Sequence, residues 1–179
     1  MEDSRGLRTA SFALTGVGAL IAAAGTTVTW MSAGLRRDLR ELLDLEYLGL
    51  DLVEGIAALV VSGMVLALLA DVRRRPRPPG LRPVGLLLAG LILVALPAWV
   101  AVRAEDRAVD EVAVVVARTA GITTGEAAAH VRTDPDLAVR TDSSGVWLSI
   151  AGGVLVTLGG VTTLLWSRRR PPDLEGGGP

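Results

Sequence analysis

The 179-residue chain contains no cysteine. Disulfides, thiolate nucleophiles, iron–sulfur clusters and cysteine-ligated zinc are excluded on that ground alone. Lysine is missing too: all 18 basic residues are arginine, and His130 is the single imidazole. An arginine-only basic complement points to a GC-rich coding sequence, as in a high-GC bacterium, more than to a binding task. Aromatics are scarce, six in all: Phe12, Trp30, Tyr47, Trp99, Trp147 and Trp166. They fall at or near the ends of apolar runs, so no stacking platform for a quinone, retinal or haem edge is expected and no cofactor is implied. The most telling shortage is of charge. Runs 11–33, 52–70, 84–102 and 146–166 together hold 82 residues and one ionisable side chain, Glu54.

Each run, at about 1.5 Å per helical residue, is long enough to cross a hydrocarbon core of roughly 30 Å. The runs are apolar or small all round, without the polar stripe of a soluble amphipathic helix. They also lack the alternation over about ten residues that marks a barrel strand. The expected fold is an all-α membrane protein, a four-transmembrane-helix bundle forming one domain over residues 1–179. Between the spans lie a first loop at 34–51, an Arg/Pro-rich loop at 71–83 and a long acidic loop at 103–145.

Charge sets the expected direction. The N-terminus, the 71–83 loop and the C-terminal tail carry 10 Arg against 5 acids, whereas the other two loops carry 8 against 13. Basic residues close to span ends stay cytoplasmic. Arg73, Arg74, Arg75, Arg77 and Arg82 fill one loop, Arg168, Arg169 and Arg170 follow the last run, and Arg5 and Arg8 precede the first. The reading is N-in and C-in, in a bacterial cytoplasmic membrane, with the arginines as topology determinants. An anionic-lipid or nucleic-acid site is the sharper reading of that cluster, but a net charge of −1 gives no reason to expect a nucleic-acid partner. Cleavage of a signal peptide after Ala33 is the other reading of the first run, and 23 residues is long for a signal core of about 7 to 15. Trp30, Tyr47, Trp99, Trp147 and Trp166 are expected to act as interfacial anchors, since such rings settle at the headgroup level.

Helices associate in lipid where small residues let backbones approach. Thr15, Ala22 and Thr29, with Gly18 and Gly25 between them, share a face of span 1, and Ser149, Gly152, Gly153, Thr157, Gly159, Gly160 and Thr163 populate span 4. Spans 1 and 4 are expected to make the tightest contacts, and Pro97 to bend span 3. In the 34–51 loop, Leu35, Leu39, Leu42, Leu43 and Leu48 recur every three to four residues, which predicts an amphipathic helix on the membrane surface. In the 103–145 loop, Ala104, Ala108, Val112, Val115 and Val116 share a helical face, and Thr123-Thr124-Gly125-Glu126 is a capping box, so a short helical hairpin is expected.

Candidate chemistry is sparse. Asp51 and Glu54 are a candidate ion or partner site, because an ionisable residue at membrane depth is functional by default. The blander reading is a second capping box, Asp51-Leu52-Val53-Glu54, at the start of span 2. His130 follows Glu126 at a metal-pair spacing, but one histidine and one carboxylate make a weak site, and a solvated helix surface explains both. Ser143 and Ser144 sit in a turn without the features of a nucleophile elbow. No glycine-rich phosphate loop is present.

The chain resembles, in layout, the tryptophan-associated transmembrane proteins of high-GC Gram-positive bacteria, a four-span family whose genes lie among tryptophan-biosynthesis genes. The residues that carry the likeness are Thr29-Trp30 closing span 1, Tyr47-Leu48-Gly49 before span 2, the Arg loop, and Trp147 opening a Gly-rich span 4 that ends in Ser167-Arg168-Arg169-Arg170. The resemblance implies four spans and no known catalysis. The expected function is a non-enzymatic accessory or scaffold in the bilayer that binds a membrane partner or a second copy. The alternative is a small oligomeric transporter or channel subunit with Glu54 lining a shared pore. An enzyme using the outer loop and His130 ranks last.

Overall fold

The computed structural model describes residues 2–37, 40–74, 82–133, 138–140 and 143–168. Its elements are α1 (Glu2–Gly25), β1 (Thr29–Arg37), β2 (Arg40–Leu48), α2 (Val53–Arg74), α3 (Arg82–Ala120), α4 (Thr124–Thr133), β3 (Ala138–Arg140) and α5 (Ser144–Arg168). A 3-10 turn, Gly49–Asp51, joins β2 to α2. The chain is mostly helical, and three stretches are long and apolar enough to cross a membrane: Val53–Asp71, Pro83–Ala120 and Ser144–Trp166. The apolar part of α1, Thr9–Gly25, is shorter.

The first apolar run does not form one helix over 11–33. It starts further back, at Glu2, and stops at Gly25. Thr26 and Thr27 end it, each donating both its backbone N–H and its hydroxyl to the carbonyls of Ala23 and Ala24. Hydroxyls that capture the last carbonyls compete with continued helix. The β-branched Thr27-Val28-Thr29 then leads into β1, which suits extended backbone better than helix.

The amphipathic helix expected in the 34–51 loop is absent. β1 and β2 form an antiparallel hairpin running from Thr29 opposite Leu48 to Arg37 opposite Arg40. β3 joins the other edge of β1, with Leu35 opposite Val139, to give the order β2-β1-β3. The molecule is therefore helical with a small sheet, not all-α. The leucines that suggest a helical period also fit a period of two, as in Leu43-x-Leu45-x-Tyr47 and Met31-x-Ala33-x-Leu35. A half-buried sheet face decides between them: Leu45 packs against Ala108, Val109, Val112 and Val131.

α3 is 39 residues long and continues through the buried Pro97, well past the expected end at 102. The helical hairpin expected in the 103–145 loop is present. The far half of α3 buries Val109, Val112, Ala113 and Ala117, and α4 buries Ala127 and Val131. Gly121 makes the turn with φ +68, a conformation that costs a glycine nothing. The N–H groups of Gly121 and Ile122 both donate to Ala117 O, at 2.9 and 3.2 Å.

Among the long helices the most extensive contacts are α1 with α5 and α3 with α5; α2 packs more lightly on α1 and α3. The expected pairing of the first and last apolar runs is thus found. Tandem glycines in α5 explain how one helix serves two neighbours. Gly152 and Gly159 face α1, where a β-carbon would run into Ala22 N and the Thr15 hydroxyl. Gly153 and Gly160 face α3, where a β-carbon would lie 2.8 Å from Leu93 C and 2.9 Å from Leu87 N. The reciprocal fit is as close: a β-carbon on Gly18 would lie 2.6 Å from Gly152 O. Ser11 Oγ donates to Thr162 Oγ1 at 2.7 Å and Ser149 Oγ to Ala22 O at 3.3 Å, fixing the antiparallel register of α1 and α5.

Candidate functional site at the junction of bundle and sheet

The carboxylate singled out in the sequence stands where α2 meets the far half of α3. Glu54 belongs to the first turn of α2 and receives a hydrogen bond from Arg107 Nη2. The two side chains are 20% and 33% exposed, so the pair is partly shielded from solvent without being sealed. Arg107 lies five residues beyond Val102, the last strongly exposed apolar side chain on α3 at 81%. The expected Asp51–Glu54 capping box does not form. Asp51 turns the other way, its Oδ2 accepting from Leu48 N at 2.9 Å and closing the 3-10 turn. Leu52 O takes the N–H groups of Gly55 and Ile56 to start α2. Glu54 instead meets Arg107, an opposite full charge whose bond to the carboxylate is charge-assisted.

Arg107 is the partner of Glu54 that the sequence does not announce. The signal was the spacing Arg103, Arg107, Glu111, one residue per turn along α3. Each makes a different contact. Glu111 Oε2 accepts from the Tyr47 hydroxyl at 3.1 Å, tying β2 to α3. Arg103 stacks its guanidinium 4.0 Å over the Trp99 ring. On the α4 side, Arg132 pairs with Asp106 at 3.5 Å between exposed side chains, a contact that contributes little on its own. Burial, the hydrogen bond to Glu111 and the Glu111 charge together push the Tyr47 phenol above its usual range.

Trp30 is not a lipid-facing anchor. It is fully buried, its indole Nε1 donating to Gly25 O at 2.8 Å. Gly49 of the 3-10 turn and Gly145 of α5 press on it from two sides: a β-carbon on either would lie 2.7 Å from the ring. Trp30 therefore joins the end of α1, the turn before α2 and the start of α5. A bulge in the β1–β2 register between Thr29 and Met31 accommodates it. Trp99 and Trp147 are exposed, at 50% and 63%, while Tyr47 and Trp166 are half-buried.

His130 lies on the exposed side of α4. Its sequence neighbour Glu126 is engaged by Thr123, whose N–H and hydroxyl reach Oε2 at 3.0 and 2.8 Å while Thr123 Oγ1 accepts from Glu126 N. Those two donors hold the Glu126 carboxyl below its ordinary value. Among the described residues, no three histidine or carboxylate groups gather as a metal site would require. Ser143 and Ser144 lead into α5. Arg73, Arg74, Arg82 and Arg168 occupy helix ends, whereas Arg75, Arg77, Arg169 and Arg170 lie outside the described residues. No known protein family, curated protein or solved structure matches the chain.

Proposed function

We propose that the chain is a four-span protein of a bacterial cytoplasmic membrane, N-in and C-in, whose outer module docks a membrane partner without performing catalysis. α1 is the fourth span: its apolar part of 17 residues, Thr9–Gly25, is at the short end of the roughly 17–25 that span a bilayer. The distribution of exposed apolar side chains supports this reading. Val17 and Leu20 on α1, Ile56, Val60 and Met64 on α2, Leu88, Leu91 and Ile92 on α3, and Val154 and Leu158 on α5 turn outward along the apolar stretches. A patch of that extent has no place on a water-facing surface.

The observation that carries the docking role is the division of labour between the two halves of α3. Between the helices, the described polar side chains are all satisfied, and Glu54 is engaged by Arg107. That weighs against the second reading, an oligomeric transporter with Glu54 around a shared pore. The far half of α3, by contrast, carries an exposed acidic surface of Glu105, Asp106, Asp110 and Glu111 on a scaffold fixed by α4 and the sheet. The layout likeness to the tryptophan-associated transmembrane proteins belongs to the same proposal. In-membrane crosslinking followed by affinity purification of the full chain should recover a partner or a second copy crosslinked through the α3–α4 hairpin. Recovery of monomer alone from native membranes would overturn the docking role.

A further inference from the structure

Among the arginines on the sheet side of the bundle whose side chains are described, Arg103 and Arg118 enter no ion pair, and Arg103 alone lies over an aromatic ring. Arg107 is taken by Glu54 and Arg132 by Asp106. The Arg103 guanidinium is laid over the Trp99 indole instead. A cation held over a ring face is held without a carboxylate, which leaves guanidinium N–H groups available to fork onto two oxygens of a phosphate. Trp99 is 50% exposed and Val102, next in the chain to Arg103, is 81% exposed. Both continue the outward apolar line of Leu88, Leu91 and Ile92. The cation thus stands one residue beyond the strongly exposed apolar line of α3, where a chain lying along that line would bring its polar end.

We propose that Trp99 and Arg103 form a binding site for the phosphodiester of an anionic phospholipid in the leaflet at the sheet end of the bundle. The acyl chains lie along the Leu91, Ile92 and Val102 side of α3. The phosphate takes the Arg103 N–H groups. A net-negative headgroup is preferred over a zwitterionic one, because a choline cation would compete with the guanidinium for the same phosphate. The inference rests on the membrane-spanning reading above.

Native mass spectrometry of the full chain, released from detergent micelles in the presence of dioleoylphosphatidylglycerol or dioleoylphosphatidylcholine, tests it. Loss of one charge-assisted contact should weaken phosphatidylglycerol binding about tenfold in Arg103→Gln. Arg118→Gln, at the far end of α3, should bind as the natural protein does. Trp99→Leu keeps the charge and removes the shelf. It should lose affinity by a smaller factor, which keeps the test decisive if Arg103→Gln does not fold. Equal binding by Arg103→Gln and the natural protein would overturn the site, as would an equal loss in Arg118→Gln or no preference for phosphatidylglycerol over phosphatidylcholine. Carbonate extraction of the natural protein separates the two proposals: release from membranes sinks the spanning reading, whereas retention with unchanged lipid binding sinks only the lipid site.

Discussion

Tyr47 offers the cleanest single-residue measurement because it is the only tyrosine in the chain. Its neutral phenol donates to Glu111, so the contact exists only while the proton is on. Burial, that bond and the Glu111 charge raise the phenol. Its contribution to stability is accordingly complete below the ordinary tyrosine value of 10.0 and is lost as pH climbs through the raised one. Absorbance titration near 295 nm should show a single phenol ionising above 10.0. In Glu111→Gln the midpoint should fall part of the way back, since burial persists. An unshifted midpoint in the natural protein would show that β2 does not rest on α3. The Glu54–Arg107 contact makes a different prediction. Glu54→Gln or Arg107→Gln alone should each lower stability by roughly 2 kcal/mol, and the double variant by little more than one of them. Additive losses in unfolding measurements in detergent would mean that the two side chains do not interact. A shared-pore role for Glu54 predicts instead that Glu54→Gln abolishes cation-coupled uptake in vesicles.

At the scale of elements, the glycines of α5 separate positions the fold needs from those it merely tolerates. Gly152→Val places a branched side chain against the α1 backbone and should cost about 3 kcal/mol or more, or prevent assembly. Gly63→Ala on α2, where nothing lies within 4 Å, should be neutral or stabilise by up to about 1 kcal/mol. Similar thermal stability for both variants would refute the interlock of α1 and α5. That interlock was legible in the sequence because small residues at a helical spacing leave few other uses in a membrane. So was the α3–α4 hairpin, where Thr123 and Glu126 form the expected box. The sheet was not. Leu35, Leu39, Leu42 and Leu43 suggest a period of 3.6 while Leu43, Leu45 and Tyr47 fit a period of 2, and only a surface to bury against chooses between them. That surface includes Leu45's contacts on α3, more than 60 residues away in the chain. The Glu54–Arg107 pair was hidden for the same reason, since it joins residues 53 apart in sequence. Trp30 misled because an aromatic at the end of an apolar run reads as an anchor until the chain folds over it.

For the whole molecule, the absence of cysteine becomes an experimental convenience. Single cysteines at Ala129 in α4 and at Asp71 near the far end of α2 can be introduced without competing thiols. In intact cells a membrane-impermeant maleimide should label Ala129→Cys and spare Asp71→Cys, with both labelled after permeabilisation. The reverse pattern would invert the proposed orientation, and equal labelling in intact cells would refute the span count. The three long apolar helices could be read because hydrocarbon enforces a composition, whereas the surroundings of each side chain depend on partners distant in the chain.

The continuity of α3 has a mechanical consequence. The 18 residues from Arg103 to Ala120 extend the same helix that packs on α2 and α5, and at about 1.5 Å per residue they reach roughly 27 Å. A reorientation of about 5° at the bilayer would displace the far end by about 2 Å, carrying α4 with it. The helix is thus a lever, and a small tilt of its apolar half becomes a larger sweep of the α4 surface it carries.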